Sequence, residues 1–300
     1  MENKFDKKSF LLILGGYVFW GLQPLYWKTI GATSAMFNLS CRIIWAMIFT
    51  VGLLAATKRL PEIKALFKNK EKMKFIVPAA ILLLLDWGVF IYAVQAGHVL
   101  DTSLGYYMGP FVVFALGMLV FKEKPAPLTL VAMGLAVVGV AASVIYYGQF
   151  PILAVALAFL FSVYGALKKF AQVDSLLSIA VETIIMVPFA LAYLIFVGTG
   201  EPGGMGELSV GYHLLLVGSG IVTALPMVLY SLGVLKLPFV MLGFMQYISP
   251  TLSMICGLFL GEQITPDKLV TFIFIWAGLI LYSITVVREE KKKRLMAKNE

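Results

Sequence analysis

Apolar residues come in runs of about the ~20 needed to cross a bilayer core, separated by short polar or glycine-rich stretches. The runs cover roughly 10–29, 36–57, 76–96, 102–121, 127–147, 150–167, 176–197, 212–235, 239–260 and 268–287. The pattern predicts ten membrane-spanning helices. Only residues 61–72 interrupt it differently. There Ile63, Leu66 and Phe67 share one helical face while Lys64, Lys68 and Lys70 lie elsewhere, which fits a short helix on the membrane surface or a solvated linker.

Composition agrees with this reading. Of 300 residues 60% are hydrophobic and 13% charged, against about a quarter charged in an average soluble domain, so the bilayer is the expected solvent. The net charge of +8 does not form a stripe suited to nucleic acid. Threading the spans from a cytoplasmic N-terminus puts 21 of the 24 Lys and Arg on one side, leaving Lys28 and Lys268 outside and Arg42 within a span. The positive-inside rule then places both termini in the cytoplasm, with anionic lipid headgroups as partner for the charge. The first run has no small-residue cleavage site and ends in Trp20, Pro24 and Trp27, so it reads as a retained span. Cys41 and Cys256 lie inside apolar runs without metal-ligand spacing and read as free, buried thiols.

The second half repeats the first. Tyr107 and Tyr247, Pro110 and Pro250, and Gly117 and Gly257 are 140 residues apart; Glu123 and Glu262, Pro127 and Pro266, and Gly139 and Gly278 are 139 apart. The chain therefore divides into residues 1–148 and 149–300, each with five spans. Five is odd, so the second half enters the membrane in the opposite sense. An all-α protein of two inverted five-helix repeats, with a site between them near the midplane, is the arrangement of many alternating-access carriers. Gly105 with Gly109, and Gly257 with Gly261, have small-xxx-small spacing; together with Gly243, Pro110 and Pro250 they are candidates for close packing and bending.

Ionisable side chains inside hydrocarbon cost about 2.5–3.5 kcal/mol on insertion scales and call for a reason. Arg42, Asp86 and Glu182 are the clear cases. Asp86 either faces a wet cavity as a binding or protonatable group, or pairs with Arg42 on the neighbouring span. Arg42 and Glu182 sit at related positions near opposite mouths, where they could bind a zwitterion, exchange partners as gates, or hold static helix contacts. Trp20, Gln23, Trp87, Tyr92, Gln95, Tyr107, Tyr230, Gln246 and Tyr247 would suit a pocket for an amphipathic solute, although Tyr and Trp also populate interfacial belts. Glu123 and Glu262 precede prolines that start helices and read as compensating helix N-terminal charge. The two histidines, His98 and His213, fall at span ends, and HExxH, CxxC, GxGxxG and P-loop motifs are absent. No cofactor or metal is expected.

The runs Cys41-Arg42-Ile43-Ile44-Trp45, Tyr92 to His98 with Ser103 to Tyr106, Val222 to Pro226, and Leu242 to Ile248 with Pro250-Thr251-Leu252 resemble the RarD-type permeases of the EamA family, drug/metabolite transporter superfamily. The resemblance covers nearly the whole chain. It implies ten helices in two inverted repeats, a bacterial plasma-membrane location, export or exchange of small metabolites, and a chloramphenicol-related label. Arg42, Glu182 and Gln246-Tyr247 match that branch; Asp86 departs from it, standing where an uncharged polar residue precedes the tryptophan. Three activities remain open: a secondary transporter, with or without proton coupling; a lipid or isoprenoid flippase; and a membrane-embedded enzyme acting on lipid, for which Asp86 with His98 is the only acid/base pair. A homodimer through spans five and ten also remains open.

Overall fold

The computed structural model describes residues 6–120, 127–148, 150–197, 208–233 and 245–299. They form helices α1 (Lys7–Thr29), α2 (Ala35–Ala56), α3 (Leu60–Lys68), α4 (Lys70–Gln95), α5 (Val99–Val120), α6 (Pro127–Tyr147), α7 (Ile152–Ala171), α8 (Ser175–Phe196), α9 (Val210–Gly233), α10 (Ile248–Phe259) and α11 (Pro266–Asn299). Among the described residues seven helices are long and apolar enough to cross a membrane, and α7 and α10 contribute shorter apolar stretches. The helix starts are set by short polar side chains that satisfy otherwise orphaned amides. Asp6 accepts from Lys8 and Ser9, Ser34 from Phe37, and Asp174 from Leu177. Asn69 accepts from Lys72, so α4 begins six residues before its apolar run. The surface segment does form a helix, α3, with Leu66 buried and Phe67 exposed.

Helices α2 and α8 share one burial pattern. Both have 22 residues. The ten buried positions of α2, Phe37 to Leu54, recur 140 residues later in α8, Leu177 to Leu194, position for position. The two run antiparallel: Ser34, before α2, meets Tyr193 at the end of α8 (3.3 Å), and Arg59, after α2, meets Asp174 before α8 (3.2 Å). Helices α5 and α10 are also antiparallel. Leu100 lies against Gly257, Ser103 donates to the Pro250 carbonyl (2.7 Å), and the Tyr107 and Thr251 hydroxyls share a hydrogen bond of 2.6 Å. In the α6–α11 pair, a Cβ on Gly278 would fall 2.7 Å from the Ala132 carbonyl, and one on Gly139 would fall 3.3 Å from the Thr271 carbonyl, each contact being the other moved by 139 residues.

Further packing joins early helices to late ones. Helix α1 lies on α9 and α10, and α7 lies on α4 and α5. Apolar side chains gain little from leaving lipid for a helix interface, so close backbone approach is a main source of association. Gly21 admits the Ser249 carbonyl, Gly105 admits Ala154, and Gly220 admits Trp45. The main buried cluster, including Trp27, Phe37, Leu83, Trp87, Phe90, Leu157, Tyr164 and Ile179, joins α1, α2, α4, α7 and α8. A second, around Leu104, Tyr107, Phe111, Ala132 and Phe272, joins α5 to α6 and α11.

Candidate functional site

The seventh residue after the start of α2 is Arg42, ~10 Å along the helix axis. Its side chain is only 4% exposed. The guanidinium carbon lies 4.7 Å from the centre of the Trp27 ring and 4.0 Å from that of Trp87, over both aromatic rings. Such stacking favours a delocalised, weakly hydrated cation over an ammonium. Nε donates to Thr223 Oγ1 of α9 at 3.0 Å, while among the described residues Nη1 is buried without a partner. Asp86, beside Trp87 on α4, is 2% exposed and within electrostatic reach of Arg42. Among the described residues no ion pair joins the two, and Asp86 Oδ1 has no hydrogen-bond partner. Trp27 Nε1 is a third buried polar atom without one.

The Thr223 that holds Arg42 sits at a discontinuity in α9. Pro226 has no N–H to offer the Val222 carbonyl four residues earlier. Gln23 of α1 supplies the missing donor, its Nε2 reaching Val222 O at 2.9 Å.

Glu182, equivalent to Arg42 in α8, is 0% exposed. Lys168 Nζ (2.9 Å) and Ser178 Oγ (2.7 Å) donate to one carboxylate oxygen, and Tyr164 OH (3.0 Å) to the other. Lys168 is itself 17% exposed. Sequence reasoning placed Lys168 with the surface lysines; its signal was position, since a lysine four residues after Tyr164 at the end of an apolar run is within side-chain reach of the membrane interior.

Polar networks close both ends of the bundle over these residues. At the α1–α2 turn, Asn38 Nδ2 donates to Ile30 O (2.7 Å), Thr33 Oγ1 donates to Asn38 Oδ1 (2.9 Å), and the Tyr212 hydroxyl of α9 reaches both Ile30 O and Thr33. At the α7–α8 turn, Arg59 binds Glu62 through two parallel bonds of 2.8 Å and also Asp174, and Lys72 reaches Gln172 O (3.4 Å). The Arg59 fork holds the Glu62 carboxyl below the usual carboxylate range.

The predicted aromatic and amide groups fall into separate neighbourhoods. Trp87 belongs to the Arg42 site. Trp20 and Tyr230 lie 6.0 Å apart beside Tyr17. Tyr107 stacks on Tyr247 at 6.5 Å next to Phe272 and Trp276, with Gln246 half-buried alongside in sequence. Gln95 reaches toward Ile30 O (3.5 Å) at the α1–α2 turn, and Tyr92 is 56% exposed. Gly105 and Gly257 are at close packing points, Gly109 makes ordinary contact with Ser162, and Gly261 instead takes a φ of +88° in the turn after α10. Pro250 opens α10; Pro110 lies within α5, its side chain outside the described residues, as are Glu123 and Gly243. Glu262 caps a helix that is not its own, accepting from the Val99 (2.6 Å) and Leu100 (2.9 Å) amides at the start of α5. Among the described residues no cluster of His, Cys, Asp or Glu could hold a metal ion.

Residues 7–145 match the model of the EamA-like transporter family. The chain is 37% identical over 299 residues to YojE, an uncharacterized transporter of Bacillus subtilis, covering 98% of this chain and 99% of YojE. It is 35% identical over 294 residues to the protein RarD of Salmonella typhi, covering 98% and 100% respectively. One solved crystal structure superposes over 92% of this chain and 98% of its own with a TM-score of 0.62 at 15% identity, a likeness of fold alone.

Proposed function

The chain belongs to the EamA-like transporter family as a RarD-type permease, and on that premise we propose that it carries a small organic solute by alternating access between two inverted five-helix halves. It is a multi-pass membrane protein and a transporter of the drug/metabolite kind. The halves are residues 1–148 and 149–300, inserted in the bacterial cytoplasmic membrane with both termini inside, where the positive-inside rule puts 21 of 24 basic residues.

The observation that carries the reading is the antiparallel pairing of equivalent helices, α2 with α8, α5 with α10 and α6 with α11. Such pairs are what a two-fold axis in the membrane plane requires, and rocking one half against the other then opens opposite mouths in turn. Opening the mouth at the α1–α2 turn breaks the Tyr212–Ile30–Asn38 network; opening the other breaks the Arg59–Asp174 contact and frees the approach to Lys168 and Glu182. Solute binds at Arg42 and Asp86 on the α2, α4 and α9 faces. Protons couple through Asp86, which has no ion-pair partner among the described residues, rather than through Glu182 with its three donors.

Purified protein in liposomes, loaded in turn with amino acids, nucleosides, amines and chloramphenicol, should show saturable counterflow of at least one of them. An inward proton gradient should drive its uptake, and Asp86→Asn should remove that dependence. Absence of saturable flux for every solute would overturn the transporter mechanism; flux indifferent to the gradient would overturn the coupling.

A further inference from the structure

Helix α3 is held at the membrane boundary by its neighbours. Only Thr57, Lys58 and Arg59 separate it from α2 and only Asn69 from α4, and both of those helices are long and apolar enough to span. Its two faces differ. Glu62, Ile63 and Leu66 share the face turned to the bundle. Leu66 is 5% exposed in one cluster with Leu54 of α2 and Leu177 of α8, and Glu62 is held by Arg59, which also reaches Asp174 before α8. Leu60, Lys64, Phe67 and Lys68, at the i, i+4, i+7, i+8 spacing of a single helical stripe, are all exposed. An exposed Leu and Phe beside two lysines is the makeup of a helix lying in the interface, with its apolar groups at the acyl boundary and its ammoniums at the phosphates.

The charge favours the same partner. Lys58 to Lys74 carries seven basic residues against two acids, Glu62 and Glu71, and both acids are answered within the segment by Arg59 and Lys74. Among the described residues no ion pair engages Lys64 or Lys68. We propose that the outer face of α3 docks on anionic phospholipid headgroups, and that docking strengthens the hold of the inner face on α8. A helix of nine residues is shorter than the ~12–15 that form alone in water, so α3 is ordered by what its faces bury. Lipid on one face meets part of that ordering cost, and the Leu66 packing and the Arg59–Asp174 contact on the other then form more readily. The anionic leaflet thereby acts as a ligand that favours closure of this end of the bundle.

The test takes the full chain in nanodiscs of phosphatidylcholine alone and of its equimolar mixture with phosphatidylglycerol, and reads amide hydrogen exchange in α3 and in residues 175–183 at the start of α8. Phosphatidylglycerol should slow exchange in both segments at least about fivefold, the low end for coupled sites. Lys64→Gln/Lys68→Gln should abolish the slowing, whereas Lys291→Gln/Lys292→Gln, the same change of charge in the tail, should keep it. A nitroxide on Phe67→Cys should be reached by oxygen and shielded from a water-soluble nickel chelate; both native cysteines are buried. Exchange in the unmodified chain that is indifferent to phosphatidylglycerol overturns the proposal. So does a tail variant that loses the slowing as fully as the α3 variant, since net charge alone would then explain it, and so does a Phe67 label open to the chelate in the anionic disc. Slowing confined to α3 overturns the link to α8. Equal slowing by inorganic phosphate added to phosphatidylcholine discs makes a free anion the occupant and overturns lipid docking. Neither readout involves solute flux, so their failure leaves the transporter mechanism untouched, as a failure of counterflow would leave the docking.

Discussion

Arg42 and Glu182 occupy the same position in helices of equal length and equal burial pattern, yet their surroundings differ in how the charge is answered. The Glu182 carboxylate receives three donors, among them a lysine, and its charge is answered within the protein. Arg42 is stacked and held at Nε, but among the described residues its Nη1 has no partner and Asp86, within electrostatic reach, is not bonded to it. The Glu182 charge is answered by neighbouring side chains, whereas among the described residues Arg42 Nη1 is left without a partner.

The sharpest way to break this contrast is to remove the lysine. Lys168→Met leaves Glu182 buried without its counter-ion and should cost about 3 kcal/mol, the low end for a broken buried pair because the Lys168 head keeps some solvent contact. The double variant Lys168→Met/Glu182→Leu should recover most of that loss in thermal unfolding of the purified protein. Recovery would be absent if Glu182 had a role beyond packing. Arg42→Met should cost less, about 2 kcal/mol of cation–π contact, while abolishing solute counterflow. A larger stability loss with retained transport would invert the comparison. Thr223→Val removes only the acceptor of Arg42 Nε; about 1.5 kcal/mol of stability should go, and the apparent KM should rise with the maximal rate largely kept. Glu62→Gln probes an exposed ion pair near the Glu182 end and should lower the melting temperature only slightly at neutral pH. The sign of its pH dependence follows from the lowered Glu62 carboxyl: its contribution is present above the ordinary carboxylate range and fades as pH falls through the depressed one.

Much of the fold could be read from hydropathy, because apolar length is a direct consequence of bilayer thickness and Ser34 and Asp174 mark helix starts by simple chemistry. The matched spacing was visible in residues such as Gly139 and Gly278, which sit where α6 and α11 come close. Arg42 and Asp86 stood out because charge in hydrocarbon is rare. Their companions did not. Trp27 and Thr223 look like ordinary membrane residues until helix rotation is known, and rotation depends on packing among α1, α2 and α9, not on local sequence. Periodicity likewise cannot tell that Tyr92 is exposed while Tyr107 is buried against a distant cluster, since both types of surface are apolar.

The hydrogen bond from Gln23 to Val222 has a mechanical meaning. It works as a splint from one helix bolted across the weak joint of another, at the level where Thr223 steadies the arginine. A swing of one arm of α9 that leaves α1 behind must first undo that fastening, so the two helices travel together or α9 loosens its hold on Arg42 as it bends.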